Sequence, residues 1–205
     1  SPSHIQDIIL DSKVTTIAFI NKRAISAGAL ISLSCDSIFM TPGASIGAAT
    51  AVDLQGNKAS EKVISYMREE MASTAEANNR SRDIATAMVD EELSIDFLLN
   101  IQGDTLTAKN VDGFAEGKLI TLSTHLAVQL GIAGGEFGSI EEVLKYLEWE
   151  DAEQKDMEES WSEKLVRFLT NPVVAPLFMG LGMLGLFMEI KSPGFGVPVS
   201  VGLIC

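Results

Sequence analysis

Residues 14–33 read VTTIAFINKRAISAGALISL, and this segment contains the strongest signals for secondary structure and for a functional site. Its first part, Val14–Ile20, is rich in β-branched and apolar residues, which is typical of a buried strand. Small and apolar residues then follow at helical spacing, so we expect a helix over Ser26–Ser34. A short basic turn connects the two. The pattern therefore places a serine at the start of a helix, directly after a strand and a turn.

Ser26 occupies a position that suits a catalytic nucleophile. The first turn of a helix offers unpaired backbone N–H groups and the positive end of the helix dipole. Both stabilise an oxyanion that forms beside the serine. The alternative is an ordinary helix-capping serine, which is common at this position. The local pattern leaves both interpretations open.

Two further motifs follow in order along the chain. After a predicted strand over Ser37–Met40 comes the turn PGASIGA, residues 42–48. Then Lys62 and Tyr66 stand four residues apart at the start of a predicted helix over Lys62–Ala77. Together with the Ser-Ala-Gly at Ser26, this order resembles the NfeD family of membrane-bound serine proteases, also called stomatin operon partner proteases. That family belongs to the Clp-protease/crotonase-like superfamily.

The resemblance implies a fold and a set of site residues. The expected fold is α/β and Clp-protease/crotonase-like, with a stacked parallel sheet and crossover helices, followed by the start of a transmembrane region. The implied catalytic pair is Ser26 as nucleophile and Lys62 as general base, and the backbone N–H of Ala27 is the expected oxyanion donor. Three turn residues are expected to shape substrate binding, with turn geometry alone as the alternative: Gly43, Ser45 and Gly47.

A serine hydroxyl needs a base to take its proton, and lysine replaces histidine in known Ser-Lys variants. The lysine must be neutral, which an apolar environment favours. Lys62 is followed by Val63 and Ile64, so we expect it in a desolvated position. The competing candidate for the general base, Lys58, lies in a polar turn, where the simpler interpretation is a lysine exposed to solvent.

Composition excludes several function classes. The 205 residues carry 28 acids and 15 bases, a net charge of −13, which argues against a nucleic-acid partner. The chain has two cysteines and two histidines, and none of them forms a cluster with metal-ligand spacing, so we expect no metal and no cofactor. Cys35 is expected in the core, and His4 and His125 are expected at the surface.

Three segments are predicted along the chain. Residues 1–147 form the protease-like domain, without the first strand and the Gly-Gly loop that precede this point in the family. Residues 148–172 form an acidic, amphipathic linker. Residues 173–205 form the truncated start of a membrane-spanning region: the uncharged run over Val173–Met188 is followed by a Pro/Gly turn and a second apolar segment. The alternative for this last segment is a buried core hairpin.

The resemblance implies a membrane-anchored serine endopeptidase that cleaves apolar peptide segments of a stomatin-like membrane protein. It also implies a homo-oligomer and an extracytoplasmic protease domain. Three methionines after Lys62 fit either an oligomer surface or the core: Met67, Met71 and Met88. The alternatives are a crotonase-type acyl-CoA enzyme and a non-catalytic scaffold for stomatin-like partners. If the Gly-Gly loop is absent, we expect the fragment to be inactive.

Overall fold

The structure is a computed structural model that describes residues 2–49, 59–93, 95, 97–107, 117–157 and 160–191. It divides into two compact units, Ser1–Asp151 and Ala152–Cys205. The limits at 147 and 172 that the sequence predicts for the domain and the linker stay predictions. The predicted second apolar segment of the membrane region lies outside the described residues, as does Lys58.

The first unit combines short helices and strands in alternation. Its helices are α1 (Pro2–Leu10), α2 (Ala27–Ser34), α3 (Glu61–Ala77), α4 (Arg82–Ala87), α5 (Thr124–Gln129) and α6 (Ile140–Tyr146). Its strands are β1 (Ile17–Ile20), β2 (Arg23–Ile25), β3 (Ser37–Met40), β4 (Ser45–Gly47), β5 (Phe97–Leu99), β6 (Thr105–Thr107), β7 (Thr121–Ser123) and β8 (Gly135–Glu136).

Two three-stranded sheets organise this unit. The first has the order β1-β3-β8, and all of its strands are parallel. The second has the order β2-β4-β7, in which β2 and β4 are parallel and β7 is antiparallel. Parallel neighbouring strands need a crossover connection. Helix α2 provides it in both sheets, because it follows β1 and β2 in the chain and precedes β3 and β4. The prediction of an α/β fold with parallel strands is confirmed.

The core of the first unit forms around α2 and the strands that flank it. Ala29 and Leu33 of α2 are fully buried, as are Ile38 of β3 and Ile46 of β4. Burying each leucine or isoleucine side chain of this kind contributes about 1.5–3 kcal/mol. The same core fixes the position of α2, whose first turn carries Ser26.

The methionines after Lys62 belong to this core. Met71 and Met88 are fully buried, and Met67 packs partly buried against the same cluster. The core alternative is therefore correct for Met71 and Met88, and the oligomer-surface alternative is wrong for them. Cys35 is buried, as expected.

Several local predictions differ from the structure. The expected basic turn before Ser26 is the strand β2, which pairs with β4 inside the predicted turn at 42–48. Three-residue strands are too short to carry a period, so only their pairing partner defines them. An antiparallel hairpin is formed by β5 and β6, from Phe97 to Thr107. Residues 108–116 lie outside the described residues.

The second unit contains two described helices, α7 (Trp161–Leu169) and α8 (Val174–Lys191). Within the described residues, no single helix is both long and apolar enough to cross a membrane. Among the described helices, one pair is long and apolar enough for a crossing when taken together, Trp161–Leu169 with Val174–Gly185, and these two segments meet at a bend of 70°.

Candidate active site

Ser26 lies in a strained turn between β2 and α2. Its backbone adopts φ 55° and ψ −121°, a region that non-glycine residues rarely occupy. Its N–H donates to the carbonyls of Gly47 and Ala48 at 3.3 and 3.1 Å, and its own carbonyl accepts from Ala29 at 2.9 Å. A serine held in a sharp, strained strand-to-helix turn is the arrangement of a nucleophile elbow. Strain of this kind clusters at functional sites.

The side chain of Ser26 is exposed and makes no capping hydrogen bond. An ordinary capping serine accepts a hydrogen bond from an N–H of the first helical turn. The capping interpretation that the sequence left open therefore does not describe this residue.

The start of α2 presents backbone donors beside Ser26. No acceptor in the described part of the chain pairs with the N–H of Ala27 or of Gly28. These groups lie at the positive end of the α2 dipole, where an anion is stabilised. The role of the Ala27 N–H as oxyanion donor stays a prediction, and within the described residues this N–H is available for it.

Gly47 holds the turn from the other side. Its φ is +142°, and a Cβ atom there would lie 2.3 Å from the carbonyl oxygen of Ile120 and 2.9 Å from the Cα of Thr121. Only glycine fits this close passage of two backbones. The next residue, Ala48, donates to the same Ile120 carbonyl at 3.0 Å. Gly47 thus supports the Ser26 turn through the backbone.

A cavity of about 310 Å³ opens beside Ser26. It runs between α1, α2 and α3, and its walls are largely apolar. Among the described residues that line it, Glu70 is the one charged group, and its Oε1 accepts a hydrogen bond from the Tyr66 hydroxyl at 3.3 Å. Its lining includes Ser3, Ser26, Val63, Tyr66 and Glu70.

Glu70 was missed by sequence reasoning, although one signal was present. Tyr66 and Glu70 are four residues apart on a helix, which places them on the same face. Because the motif Lys-x-x-x-Tyr drew attention to Tyr66, the next residue on that face was a candidate for the same cavity.

Lys62 lies in the first turn of α3, and its side chain is exposed. The expected desolvated position is wrong for this structure, because α3 turns Ile64 into the core and leaves Lys62 on the outer side. Lys62 does not line the Ser26 cavity, whereas its neighbour Val63 does. His4 and His125 are both exposed, as expected.

Gly43 and Ser45 line a different cleft from Ser26. This cleft, of about 780 Å³, lies where β1 and β3 end and includes Lys22 and Arg23. Gly43 has φ +75° with open space around it, which is ordinary turn geometry. Of the three predicted substrate-binding residues, the structure brings only Gly47 next to Ser26.

The far end of α2 is closed by side chains. Asn78 Nδ2 donates to the carbonyls of Leu33 and Ser34 at 2.9 and 3.0 Å. The Arg80 guanidinium donates to the carbonyls of Leu33, Cys35 and Asp36, and to that of Ile132, at 2.9–3.1 Å. Burial of this guanidinium lowers the pKa of Arg80. Burial raises the pKa of the Cys35 thiol, which lies beside it.

This architecture defines the chain as a member of the Clp-protease/crotonase-like fold class. It superimposes on a solved structure described as the 1510-N membrane-bound stomatin-specific protease, a lysine-to-alanine mutant in complex with a substrate peptide, with a TM-score of 0.62. The match covers 83% of this chain and 76% of that chain at 21% identity. The 1510-N protease from Pyrococcus horikoshii matches with a TM-score of 0.52 over 82% of this chain and 74% of that chain, at 21% identity.

The chain belongs to the NfeD family: the domain family described as NfeD1b, N-terminal domain, matches residues 1–157. It is 39% identical over 198 residues to the membrane protein NfeD1b of Bacillus subtilis, covering 97% of this chain and 42% of that protein. It is 26% identical to the membrane-bound protease PH1510 of Pyrococcus horikoshii, covering 96% of this chain and 44% of that protein. The chain thus spans less than half the length of these relatives.

Proposed function

We propose that this chain carries the active site of a serine endopeptidase, with Ser26 as nucleophile and Lys62 as general base. The observation that carries the proposal is the strained Ser26 turn, which exposes the hydroxyl next to the unpaired N–H of Ala27 and to an apolar cavity. Membership of a family that includes a named protease supports it.

The proposed reaction has two steps. Neutral Lys62 takes the proton of Ser26 as Oγ attacks the scissile carbonyl carbon, and the N–H of Ala27 donates to the oxyanion. The intermediate collapses, the C–N bond breaks, and the lysine returns the proton to the leaving amine. Water then attacks the acyl-serine ester with Lys62 again as base. This releases the acid product and regenerates the serine hydroxyl.

The exposed position of Lys62 sets a condition on this mechanism. In water, roughly one lysine in a few thousand is neutral at pH 7. The residue precedes Val63, which lines the cavity, and its long flexible side chain allows the amine to turn toward that side. A bound peptide that covers this first turn of α3 would exclude water and favour the neutral amine. Substrate binding is therefore part of base activation in this proposal.

The proposed substrate is an apolar peptide segment of a stomatin-like membrane protein. The largely apolar walls of the Ser26 cavity support an apolar side chain there. A solved relative is described as specific for stomatin and as binding a substrate peptide. The names of both sequence relatives support a membrane location. A homo-oligomer, several membrane spans and an extracytoplasmic protease domain complete the proposal.

Covalent labelling tests the nucleophile directly. A fluorophosphonate probe reacts with activated serines, so we expect the full-length protein to be labelled at Ser26 and Ser26→Ala to stay unlabelled. Ser3→Ala is the matched control, because Ser3 lines the same cavity and should leave labelling intact. Peptide mapping of the adduct identifies the residue. Labelling that survives in Ser26→Ala would exclude Ser26 as the nucleophile.

A second candidate function is non-catalytic binding of the same kind of peptide. The specific observation that favours it is the exposure of Lys62 outside the cavity. The two candidates differ in one measurement. A scaffold binds the peptide with the same affinity in the wild type and in Ser26→Ala, and neither protein reacts with the probe or releases product.

A further inference from the structure

The helix α7 has two faces of opposite chemistry. At 100° per residue, four large apolar side chains fall within one third of its circumference: Trp161, Leu165, Phe168 and Leu169. The charged side chains of Glu163, Lys164 and Arg167 fall on the other side. None of the residues of α7 is buried, and Trp161 is 78% exposed. The helix thus presents an apolar face that the described residues leave largely uncovered.

The start of α7 is firmly defined, so this segregation is a property of a true helix. Ser160 and Glu163 form a capping box: the Ser160 hydroxyl accepts from the Glu163 N–H, and Glu163 Oε2 accepts from the Ser160 N–H at 2.7 Å. That backbone N–H lowers the pKa of Glu163. The cap places Trp161 in the first turn, at one end of the apolar face.

The length of α7 does not allow it to cross a bilayer. Nine helical residues extend about 14 Å, whereas the hydrocarbon core is about 30 Å thick. An amphipathic helix with tryptophan on its apolar face and basic residues on its polar face is suited to the boundary between headgroups and acyl chains.

The helix that follows has a different surface. Around α8 the exposed large apolar side chains extend over more than half of the circumference, among them Leu177, Met179, Leu181 and Met183. The chain bends by 70° between the two helices, and Phe168 contacts Phe178 edge-on at a ring distance of 6.4 Å. An amphipathic helix that meets a helix with apolar residues over its first fifteen positions at a steep angle matches a chain that lies along a membrane surface and then turns into the lipid.

We propose that α7 is an interfacial helix that lies in the plane of a lipid bilayer surface, with Trp161, Leu165 and Phe168 toward the acyl chains. The occupant of the apolar face is lipid and not a second copy. A single partner helix would cover one side of α8, whereas its exposed apolar residues extend over more than half of its circumference. Lys164 lies at the edge of the polar face, from which its amine reaches the phosphate headgroups. This proposal shares the membrane location with the proposed function but does not depend on the peptidase chemistry.

Tryptophan fluorescence tests the proposal in the full chain. These 205 residues contain two tryptophans, so in a protein of this sequence Trp149→Phe leaves Trp161 as the single reporter. In phosphatidylcholine vesicles we expect a blue-shifted emission. We also expect lipids brominated just below the headgroup to quench Trp161 several-fold more strongly than lipids brominated at the chain ends. The Ser26→Ala variant should behave identically, which separates this test from that of the peptidase.

Matched substitutions assign the effect to one face. The double variant Leu165→Gln/Phe168→Gln should lose most of the quenching by shallow bromine and become accessible to aqueous iodide. Arg167→Gln, on the polar face, should stay within twofold of the parent. If glutamine disrupts the helix, Leu165→Ala/Phe168→Ala keeps helix propensity and should still weaken the quenching.

Three results would overturn the proposal. Equal iodide quenching with and without vesicles would place Trp161 in water. Stronger quenching by chain-end bromine would make α7 part of a span. Protection that depends on the protein-to-lipid ratio would indicate that another copy covers the apolar face.

Discussion

The two ends of α2 are built in opposite ways. At the start, Ser26 holds a strained backbone, its hydroxyl is exposed, and the N–H of Ala27 meets no acceptor among the described residues. At the end, Asn78 and Arg80 donate to the last carbonyls of the helix. One end leaves its polar groups open, and the other satisfies them with side chains.

The difference separates function from stability along one short helix. A closed helix end contributes stability because no buried carbonyl is left without a donor. An open, strained end costs stability and is retained where a ligand or a reaction uses it. Substitutions at the start of α2 should therefore affect activity, and substitutions at its end should affect the free energy of unfolding.

The largest effect is expected at Ser26. Ser26→Ala should lower peptide cleavage by about 10⁴-fold or more, because the nucleophile is lost. Ser26→Gly should abolish cleavage equally and raise the free energy of unfolding by about 1 kcal/mol, since glycine tolerates φ 55°. Urea unfolding and peptide turnover on the same samples check both parts. A destabilised Ser26→Gly variant would show that the turn is not strained.

At Lys62 we expect a smaller loss of activity with unchanged stability. Lys62→Ala should lower turnover by about 10²–10⁴-fold, the usual size of general-base catalysis. Lys62→Arg should be as inactive, because arginine remains protonated. Peptide turnover of the parent and the two variants on one substrate measures the loss.

Lys58→Ala, His4→Ala and His125→Ala are the controls for Lys62 and should retain most of the activity. An active Lys62→Ala, or an inactive Lys58→Ala, would move the base to another residue. The proton of Ser26 would then be taken by a group outside the first turn of α3.

Gly47→Ala should lower the free energy of unfolding by about 4 kcal/mol or prevent folding, because the new Cβ would overlap the Ile120 carbonyl. The matched control is Gly43→Ala, which also has positive φ but open space around it. It should cost about 1–2 kcal/mol. Thermal unfolding of the two variants measures the difference, and equal losses would mean that the close backbone passage is unimportant.

At the closed end, Arg80→Met should lower the free energy of unfolding by about 3 kcal/mol, because four carbonyls each lose one hydrogen bond and only that of Leu33 keeps a side-chain donor, Asn78. Probe labelling of Ser26 should persist in the folded fraction. The control is Arg82→Met, which removes two exposed ion pairs, with Glu69 and Glu76, and should cost under about 1 kcal/mol. Comparable losses in urea unfolding would contradict the distinction between the two ends.

The smallest effect concerns Asp36, directly after α2. Its carboxylate accepts from the backbone N–H of Thr16 at 2.7 Å and from the Thr16 hydroxyl at 2.8 Å, and these bonds lower the pKa of Asp36. A lowered folded-state pKa contributes stability above the ordinary value near 3.9 and loses it as the pH falls through the folded value. Asp36→Asn should therefore be less stable than the parent by under about 1 kcal/mol at pH 7.

This gap between Asp36→Asn and the parent should narrow as the pH is lowered through and below the ordinary titration range of an aspartate. Urea midpoints of both proteins across this range test the sign of the effect. A gap of constant size at all pH values would mean that charge on Asp36 plays no part.

Much of the fold and part of the site could be predicted from the sequence. The apolar run before Ile20 and the small residues after Ser26 defined β1 and α2, because both signals are local and periodic. The order of the motifs identified the family, and it placed Ser26 at the start of a helix. These inferences needed no knowledge of which segments meet in space.

Other features were decided only by the tertiary structure. Strand β2 exists because Arg23–Ile25 finds a partner in β4, and three residues carry no period of their own. The requirement for glycine at Gly47 arises from the approach of the Ile120 backbone, more than seventy positions away in the chain, and the Ser26 N–H donates to the carbonyls of Gly47 and Ala48. The apolar neighbours of Lys62 predicted a buried side chain. In a helix, however, adjacent residues point to different sides. The packing of α3 buries Ile64 in the core and leaves Lys62 exposed.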